Sequence, residues 1–191
     1  ETRAHIVEAA CKCFADHGYA KTSNQEIAKL AGVTTGALYH YFPSKAELFA
    51  AVHRYVENVV VEFYRRAFTQ EDNSVAQICA GAEASVGDER TPPEVAKFAS
   101  IAPVEIQRHP ELREILEADI RGTRAFFTKL IQRGQERGDI DPHVETDAAV
   151  NMITSCFFGL AWLRAQVDSA AEHAAALRAF QRLLRGELFR T

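Results

Sequence analysis

The chain has 191 residues, of which 47% are hydrophobic and 25% are charged, and its formal net charge is −4 at pH 7. A chain of this length can bury a substantial core in one or two domains. Its apolar runs fall short of the ~18–20 residues that a membrane-spanning helix needs, so we expect a soluble, cytoplasmic protein with no membrane partner.

The chain begins with an amphipathic pattern over Glu1–Gly18, which predicts a helix and not a signal peptide. Ser23 is a good N-cap residue, and Glu26 follows it at the capping-box spacing that starts a helix. Gly32 comes directly after this second helix, where the chain favours a residue that tolerates positive φ. The residues that predict its apolar face at helical spacing are Ile27, Leu30 and Ala31.

A third, short helix follows the turn. Thr34 or Thr35 can cap it, and Pro43 stops it, because a proline ring cannot continue the hydrogen-bond ladder of a helix. Leu38 and Phe42 are four residues apart and therefore anchor one face inward. The two short helices and their tight turn predict a helix-turn-helix.

These helices contain four sequence motifs, F-A-D-H-G-Y, T-S-N-Q-E-I-A, A-G-V-T-T-G-A-L-Y-H-Y-F and S-K-A-E-L-F. The motifs resemble the headpiece of the TetR family of bacterial transcriptional regulators and cover about a quarter of the chain. The resemblance implies an all-α protein with a three-helix DNA-binding headpiece over residues 1–44 and a larger helical ligand-binding and dimerisation domain over residues 45–191. It further implies a repressor that a small hydrophobic ligand releases from a pseudo-palindromic operator in double-stranded DNA.

The resemblance places the recognition helix at about Thr35–Tyr41. The phosphate contacts that it implies are Ser23, Asn24, Gln25, Tyr41 and Lys45. The base-edge contacts that it implies are Thr34, Thr35, Gly36, Ala37, Tyr39 and His40. Hydroxyl and amide groups suit phosphate oxygens, and small residues let the helix approach the floor of the groove. An alternative for Tyr39 is a partly buried packing role.

Charge gives little support to DNA binding. Residues 1–50 contain five basic and five acidic side chains, which cancel, whereas a basic patch is the usual footprint of a DNA-binding protein. The sequence does not begin with Met, and we expect any further basic residues to lie upstream of Glu1. We expect steep salt dependence with modest nonspecific affinity.

Past the headpiece, apolar residues recur at helical spacing almost throughout, and strand-like alternation is absent. Ser44 caps a long helix over Lys45–Phe68. The turn G-D-I-D-P at residues 138–142 resembles a connector found in the same family. The further helical segments that we predict are Glu71–Val86, a helix from Pro93 that includes Ile106, a helix from Pro110 to Gly138, Asp147–Val167 and Glu172–Leu188. The polar stretch Gly87–Thr91 separates the first two of these segments.

The last two predicted helices are apolar over more than a narrow stripe. In the resembled family they pair with their copies in a four-helix dimer interface, which implies a homodimer. The alternative is that both helices cover only the core of the monomer.

Between the headpiece and these helices, the resemblance implies a pocket for a small-molecule effector. The candidate lining residues are Phe63, Cys79, Phe98, Ile101, Phe126, Phe127, Met152, Phe157 and Trp162. An aromatic-rich lining favours a hydrophobic or planar ligand, and Trp162 suits the edge of a cavity because its indole N–H needs a polar partner. Each of these residues has the alternative of an ordinary core position.

The cysteines do not form a disulfide or metal framework. Cys11 and Cys13 are two residues apart and point to different faces of a helix, and Cys79 and Cys156 lie in apolar helical segments. A Gly-rich phosphate loop, a zinc helix motif and a nucleophile elbow are all absent from the sequence. We therefore expect no metal, no cofactor and no enzymatic activity. Two alternatives stay open, a transcriptional activator of the same fold and a helix-turn-helix adaptor that binds protein.

Overall fold

The structure, a computed structural model, describes residues 1–68, 73–84, 92–166 and 169–189, without the side chains of residues 60–68, 84 and 170. These described residues form α-helices and no strand, as the sequence predicts. The helices are α1 (Thr2–Lys21), α2 (Asn24–Leu30), α3 (Thr35–Tyr41), α4 (Lys45–Phe68), α5 (Ser74–Ala84), α6 (Pro93–Arg108), α7 (Pro110–Arg137), α8 (Thr146–Gln166) and α9 (Ala170–Leu184).

The caps of the short helices follow the predicted chemistry. Ser23 Oγ accepts the backbone N–H of Glu26 at 3.2 Å, and Thr34, not Thr35, caps α3 by accepting the N–H of Ala37 at 3.1 Å. Gly32 has a φ of 68°, a backbone conformation that most L-residues avoid. The turn between α2 and α3 therefore follows the local signals in the sequence.

Two details of the headpiece differ from the sequence-based expectation. The first helix does not end at Gly18 but continues to Lys21, with a kink at Gly18, where φ is 75°. Leu30, which we expected on the inward face of α2, is 51% exposed. Because α2 has only seven residues, its contact with the core is too short to cover a side chain in its last turn.

The first core joins the headpiece to part of the following domain. It contains buried side chains of α1, α2, α3 and the first half of α4, together with residues of α6 and the start of α7. Phe14, Phe49 and Phe98 are 0% exposed, and Phe49 lies 5.2 Å and 5.0 Å from the other two rings. The three-helix headpiece thus shares its core with the helices on which it rests.

The second core lies among α5, the second half of α7, α8 and α9. Helix α6 packs against both α1 and α8, so it links the two cores. The predicted turn at residues 138–142 also holds α5, because Asp139 accepts the backbone N–H of Ser74 at 2.9 Å. The described part of the predicted segment Glu71–Val86 consists of Asn73 and α5. Residues 71, 72, 85 and 86 of that segment and the break at Gly87–Thr91 lie outside the described residues.

Helix α8 corrects one statement made from the sequence. Its 21 residues are long and apolar enough to cross a membrane by length and composition, although only a third of the window is buried in the structure. A core helix of a soluble protein passes the same test. Buried residues such as Ile153 and Phe157, on one side of α8, pack in the second core.

Candidate nucleic-acid interface

Helix α3 presents a hydrogen-bonding face to solvent. Leu38 is 0% exposed and Phe42 is 3% exposed, and these two side chains fix the helix on the first core. On the opposite side, Tyr39 is 49% exposed and Tyr41 is 41% exposed, while His40 lies against Tyr41 with 5.5 Å between ring centroids. Tyr39 is thus half exposed, on the side of α3 that we predicted to contact DNA.

The other predicted contact residues lie on the same two helices and their turn. Thr34, Gly36, Ser23 and Gln25 are exposed, whereas Asn24 is half-buried. The remaining two, Thr35 and Ala37, are half-buried in the first turn of α3. The fold thus brings ten of the eleven predicted DNA-binding residues onto the helix-turn-helix.

Lys45, the eleventh, has a different environment. It is the first residue of α4, and its ammonium donates to the carbonyl oxygens of Tyr19, Ala20 and Thr22 at 2.8, 3.3 and 3.1 Å. The same Nζ lies 4.5 Å from the centroid of the Tyr19 ring. The sequence analysis did not identify Tyr19 and Thr22 as neighbours of Lys45.

The interface is close to electrically neutral. Helix α3 contains no Lys, Arg, Asp or Glu, so the groups that it offers on its outward face are hydroxyl, imidazole and methyl groups. Beside α1, Lys97 Nζ of α6 forms an ion pair with Asp16 Oδ1 at 2.6 Å, and His17 Nδ1 lies 3.2 Å from Glu26 Oε1. The balance of charge found in the sequence therefore persists in the folded headpiece.

The predicted ligand-lining residues do not gather in one place. Phe127 and Phe157 pack together in the second core, with 5.7 Å between ring centroids, and Cys79 is also buried. Phe98 belongs to the first core, and Ile101 is half-buried on the same helix. The side chain of Phe63 lies outside the described residues.

Three further members of that predicted set lie at the surface. Phe126, Met152 and Trp162 are 41%, 55% and 56% exposed, so the structure does not support them as the lining of an enclosed pocket. Trp162 faces outward because α8 directs its other side to the second core. With Phe158, which is 49% exposed, Met152 and Trp162 form an apolar surface on α8 that we call the α8 outer face. Sequence reasoning missed Phe158.

The thiols of the headpiece are poor nucleophiles and poor metal ligands. Burial raises the pKa of Cys11 to about 12 and is the main cause of the rise of the Cys13 pKa to about 11, and the thiolate is the reactive form. In the part of the chain that the structure describes, no group of three His, Cys, Asp or Glu side chains could hold a metal ion.

Two family models match the chain in tandem. Residues 6–52 match the model of bacterial regulatory proteins of the tetR family, and residues 83–180 match a tetracyclin repressor-like C-terminal domain. The transcriptional regulator AcrR from Shigella flexneri is 40% identical over 78 residues, which are 39% of this chain and 36% of AcrR. The chain thus matches little more than a third of the length of that curated relative.

Solved structures extend the likeness to the whole fold. FadR from Bacillus halodurans, a fatty acid degradation regulator, superposes with a TM-score of 0.77 at 20% identity, over 96% of this chain and 94% of that one. FadR from Bacillus subtilis, solved in complex with stearoyl-CoA, has a TM-score of 0.74 at 20% identity, over 97% of this chain and 99% of that one. The helix-turn-helix geometry, the two family models and these folds agree: the chain belongs to the TetR family of bacterial transcriptional regulators.

Proposed function

We propose that this protein is a repressor that binds a pseudo-palindromic operator as a homodimer and leaves it when a small hydrophobic effector binds. The single observation that best supports DNA binding is the division of α3 into two faces. Its inward residues are buried, and its outward residues are uncharged, hydrogen-bonding or small. One seven-residue helix makes few contacts, so two copies are needed to bind half-sites about 34–36 Å apart or wider.

The contacts divide by chemistry. We assign base edges to the turn and outward face of α3, and we assign phosphates to the start of α2 and to Tyr41 at the end of α3. Phosphate contacts fix the register of the protein, whereas base contacts supply the sequence preference. The proposed base-edge residues are Thr34, Thr35, Gly36, Ala37, Tyr39 and His40, and the proposed phosphate residues are Ser23, Asn24, Gln25 and Tyr41.

The α8 outer face supports a homodimer through α8 and α9. Several large apolar side chains exposed together mark an association surface, and Leu183 on α9 is also 47% exposed. Two helices from each of two copies would form a four-helix bundle. Dimerisation would place two α3 helices on one duplex. The proposed compartment of the protein is the cytoplasm, where the operator lies.

We place the effector among the helices of the second core, near Cys79, Phe127 and Phe157. A hydrophobic ligand is in keeping with these buried apolar side chains and with the stearoyl-CoA bound by a FadR of similar fold. Helix α4 would transmit the signal, because only three residues separate it from α3 and it is tied to α7. Arg54 Nε lies 2.9 Å from Asp119 Oδ2, and Thr123 Oγ1 donates to Glu57 Oε1 at 2.8 Å. A coupling free energy of ~1–3 kcal/mol would be typical.

The test is selection of genomic DNA fragments by the purified protein at two salt concentrations. We expect a pseudo-palindromic site to be enriched by the wild type and lost by a Tyr39→Ala, Tyr41→Ala double variant. Val104→Ala is the matched control, since Val104 is 44% exposed but lies on α6. Failure to enrich any fragment at low salt would refute DNA binding and favour the protein-binding adaptor.

Transcription from the selected site in a purified system then separates repressor from activator. We expect transcript levels to fall when the protein is added and to recover when a long-chain acyl-CoA is added. A rise in transcript on addition of the protein would identify an activator. A ligand that binds tightly but leaves operator affinity unchanged would contradict the proposed release mechanism.

A further inference from the structure

The ammonium of Lys45 has no donor left for DNA. A lysine side chain has three N–H donors, and three carbonyl oxygens, those of Tyr19, Ala20 and Thr22, accept from it at 2.8, 3.3 and 3.1 Å. The Tyr19 ring covers a further side of the same atom at 4.5 Å. A phosphate contact by this side chain would require at least one of these hydrogen bonds to break.

The three carbonyls belong to the end of α1. That helix ends at Lys21, and Thr22 is its C-cap, beyond the kink at Gly18, where φ is 75° and ψ is 173°. The carbonyls of this last turn lack partners within the helix, and the Lys45 ammonium donates to them. Thr22 reinforces the same end, because its buried hydroxyl lies 2.7 Å from the carbonyl oxygen of Gly18 and 3.1 Å from that of Cys13. Lys45 thus ties the first turn of α4 to a closed, well-defined helix end.

Tyr19 connects this helix end to the corner between α6 and α7. The Tyr19 ring is 6% exposed and lies 4.8 Å from the ring of His109, the residue between those two helices. His109 Nε2 lies 3.4 Å from Glu105 Oε2. A Cβ at Gly18 would come within 2.9 Å of Glu105 Oε1, so the glycine allows this close approach. The platform on which Lys45 is held therefore includes the larger domain.

The position of α3 depends on this attachment. Helix α3 ends at Tyr41 and α4 begins at Lys45, with only Phe42, Pro43 and Ser44 between them. We propose that Lys45 is a positioning residue for operator binding, which sets the placement of α3 by anchoring α4 to the end of α1, and not a phosphate contact. This inference rests on the proposed DNA-binding function.

The first test is the salt dependence of operator affinity. Loss of a phosphate contact reduces the slope of log K against log salt by about 0.9 per phosphate, or about 1.8 for the two copies in a dimer. For Lys45→Met we expect affinity to fall about tenfold or more, since charged hydrogen bonds are lost, with a slope equal to that of the control. The control is Lys29→Met, an exposed lysine of α2 whose loss changes the net charge equally. A slope reduced by about 1.8 relative to this control would overturn the proposal.

Lys45→Arg separates the two roles even if Lys45→Met folds poorly. Arginine binds phosphate well, but its planar guanidinium does not direct donors to three converging carbonyls. A positioning role predicts reduced operator affinity for Lys45→Arg with an unchanged slope. Full wild-type affinity in this variant would overturn the proposal.

Amide hydrogen exchange of the free protein gives a readout without DNA. We expect Lys45→Met and Tyr19→Leu to speed exchange in the last turn of α1 and in residues 34–42, while Lys29→Met does not. Unchanged exchange in α3 would overturn the positioning role. If the wild type binds no DNA at all, the proposed function fails, and the exchange experiment still decides whether Lys45 places α3.

Discussion

The two cores of this chain differ in how completely they are closed. Among the described residues, ten of the twelve largest fully buried side chains belong to the first core, which unites the headpiece with α4, α6 and α7. The other two, Ile131 and Val150, belong to the second core. The second core is also flanked by the exposed α8 outer face, where Met152, Phe158 and Trp162 lie in solvent.

This contrast indicates where each half obtains its stability. The first core is complete within one chain, so its free energy of unfolding depends on packing inside that chain. The second half leaves the α8 outer face exposed, and in the proposed homodimer a second copy would bury it. Substitutions in the first half should therefore change folding, whereas substitutions on the α8 outer face should change association.

The largest expected effect is the loss of folding stability caused by Phe49→Ala in the first core. Phe49 is 0% exposed and contacts the rings of Phe14, Tyr19 and Phe98, so its loss removes buried area and leaves a cavity. We expect the free energy of unfolding to fall by ~3–5 kcal/mol in urea titrations. Phe189→Ala removes the same ring from a 74% exposed site outside α8 and α9 and is the matched control. Equal losses in the two variants would show that the two halves do not differ.

The next effect is on dimerisation. Truncating an aromatic residue at the centre of an interface typically costs ~2 kcal/mol or more. Trp162→Ala removes one indole from each copy, so it should raise the dimer Kd by roughly thirtyfold or more. Sedimentation equilibrium measures this change, and Val104→Ala serves as an exposed control away from α8 and α9. A wild-type protein that stays monomeric at micromolar concentration would contradict the proposed interface.

A matched pair of helix caps compares the two halves more finely. Ser23 Oγ accepts the N–H of Glu26 at 3.2 Å, and Ser169 Oγ accepts the N–H of Glu172 at 3.3 Å. Each Ser→Ala change should cost about 1 kcal/mol of helix stability, and each Ser→Gly change only a few tenths. We expect Ser23→Ala to lower operator affinity and Ser169→Ala to weaken the dimer, as measured by DNA binding and sedimentation. The opposite assignment would contradict the division of roles.

The smallest effect is a pH dependence in the second half. His173 is 4% exposed, and burial is the main cause that lowers its pKa below the usual 6.5; the hydrogen bond with the Leu160 carbonyl opposes this, and Arg164 adds to it. The pKa of His173 is lower in the folded state than in the unfolded state. Its contribution to the free energy of unfolding is therefore fully present above pH 6.5 and is lost as pH falls through the folded pKa. We expect the wild type to lose more stability than His173→Gln between pH 7.5 and 5 in urea titrations. Identical pH profiles would contradict this role.

Much of the headpiece was predictable because its signals are local. The caps at Ser23 and Thr34, the glycine at position 32 and the bounds Thr35–Tyr41 all follow from chemistry within a few residues of the helix ends. The same holds for α4, whose predicted bounds Lys45–Phe68 are confirmed. The membership of the TetR family was also predictable, since it depends on short motifs in this stretch.

The environments of Lys45 and Trp162 were not predictable in the same way. Helical spacing shows that a side chain lies on an apolar face but not which neighbour covers that face. Trp162 and Phe157 are both apolar positions of α8, yet one is 56% exposed and the other 6% exposed. For Lys45, the partners lie 23 to 26 residues earlier in the chain, at a helix end that only folding brings to α4.

Local signals specify the helices, the helix-turn-helix and the family, because capping, turn geometry and apolar periodicity act over a few residues. The remaining features depend on contacts between distant parts of the chain. The tertiary structure joined the headpiece to α6 and α7 in one core, separated the predicted ligand-lining residues, left the α8 outer face uncovered and directed the Lys45 ammonium to the end of α1. These outcomes depend on which distant surfaces meet, and that is fixed only when the whole set of helices competes to bury its apolar faces.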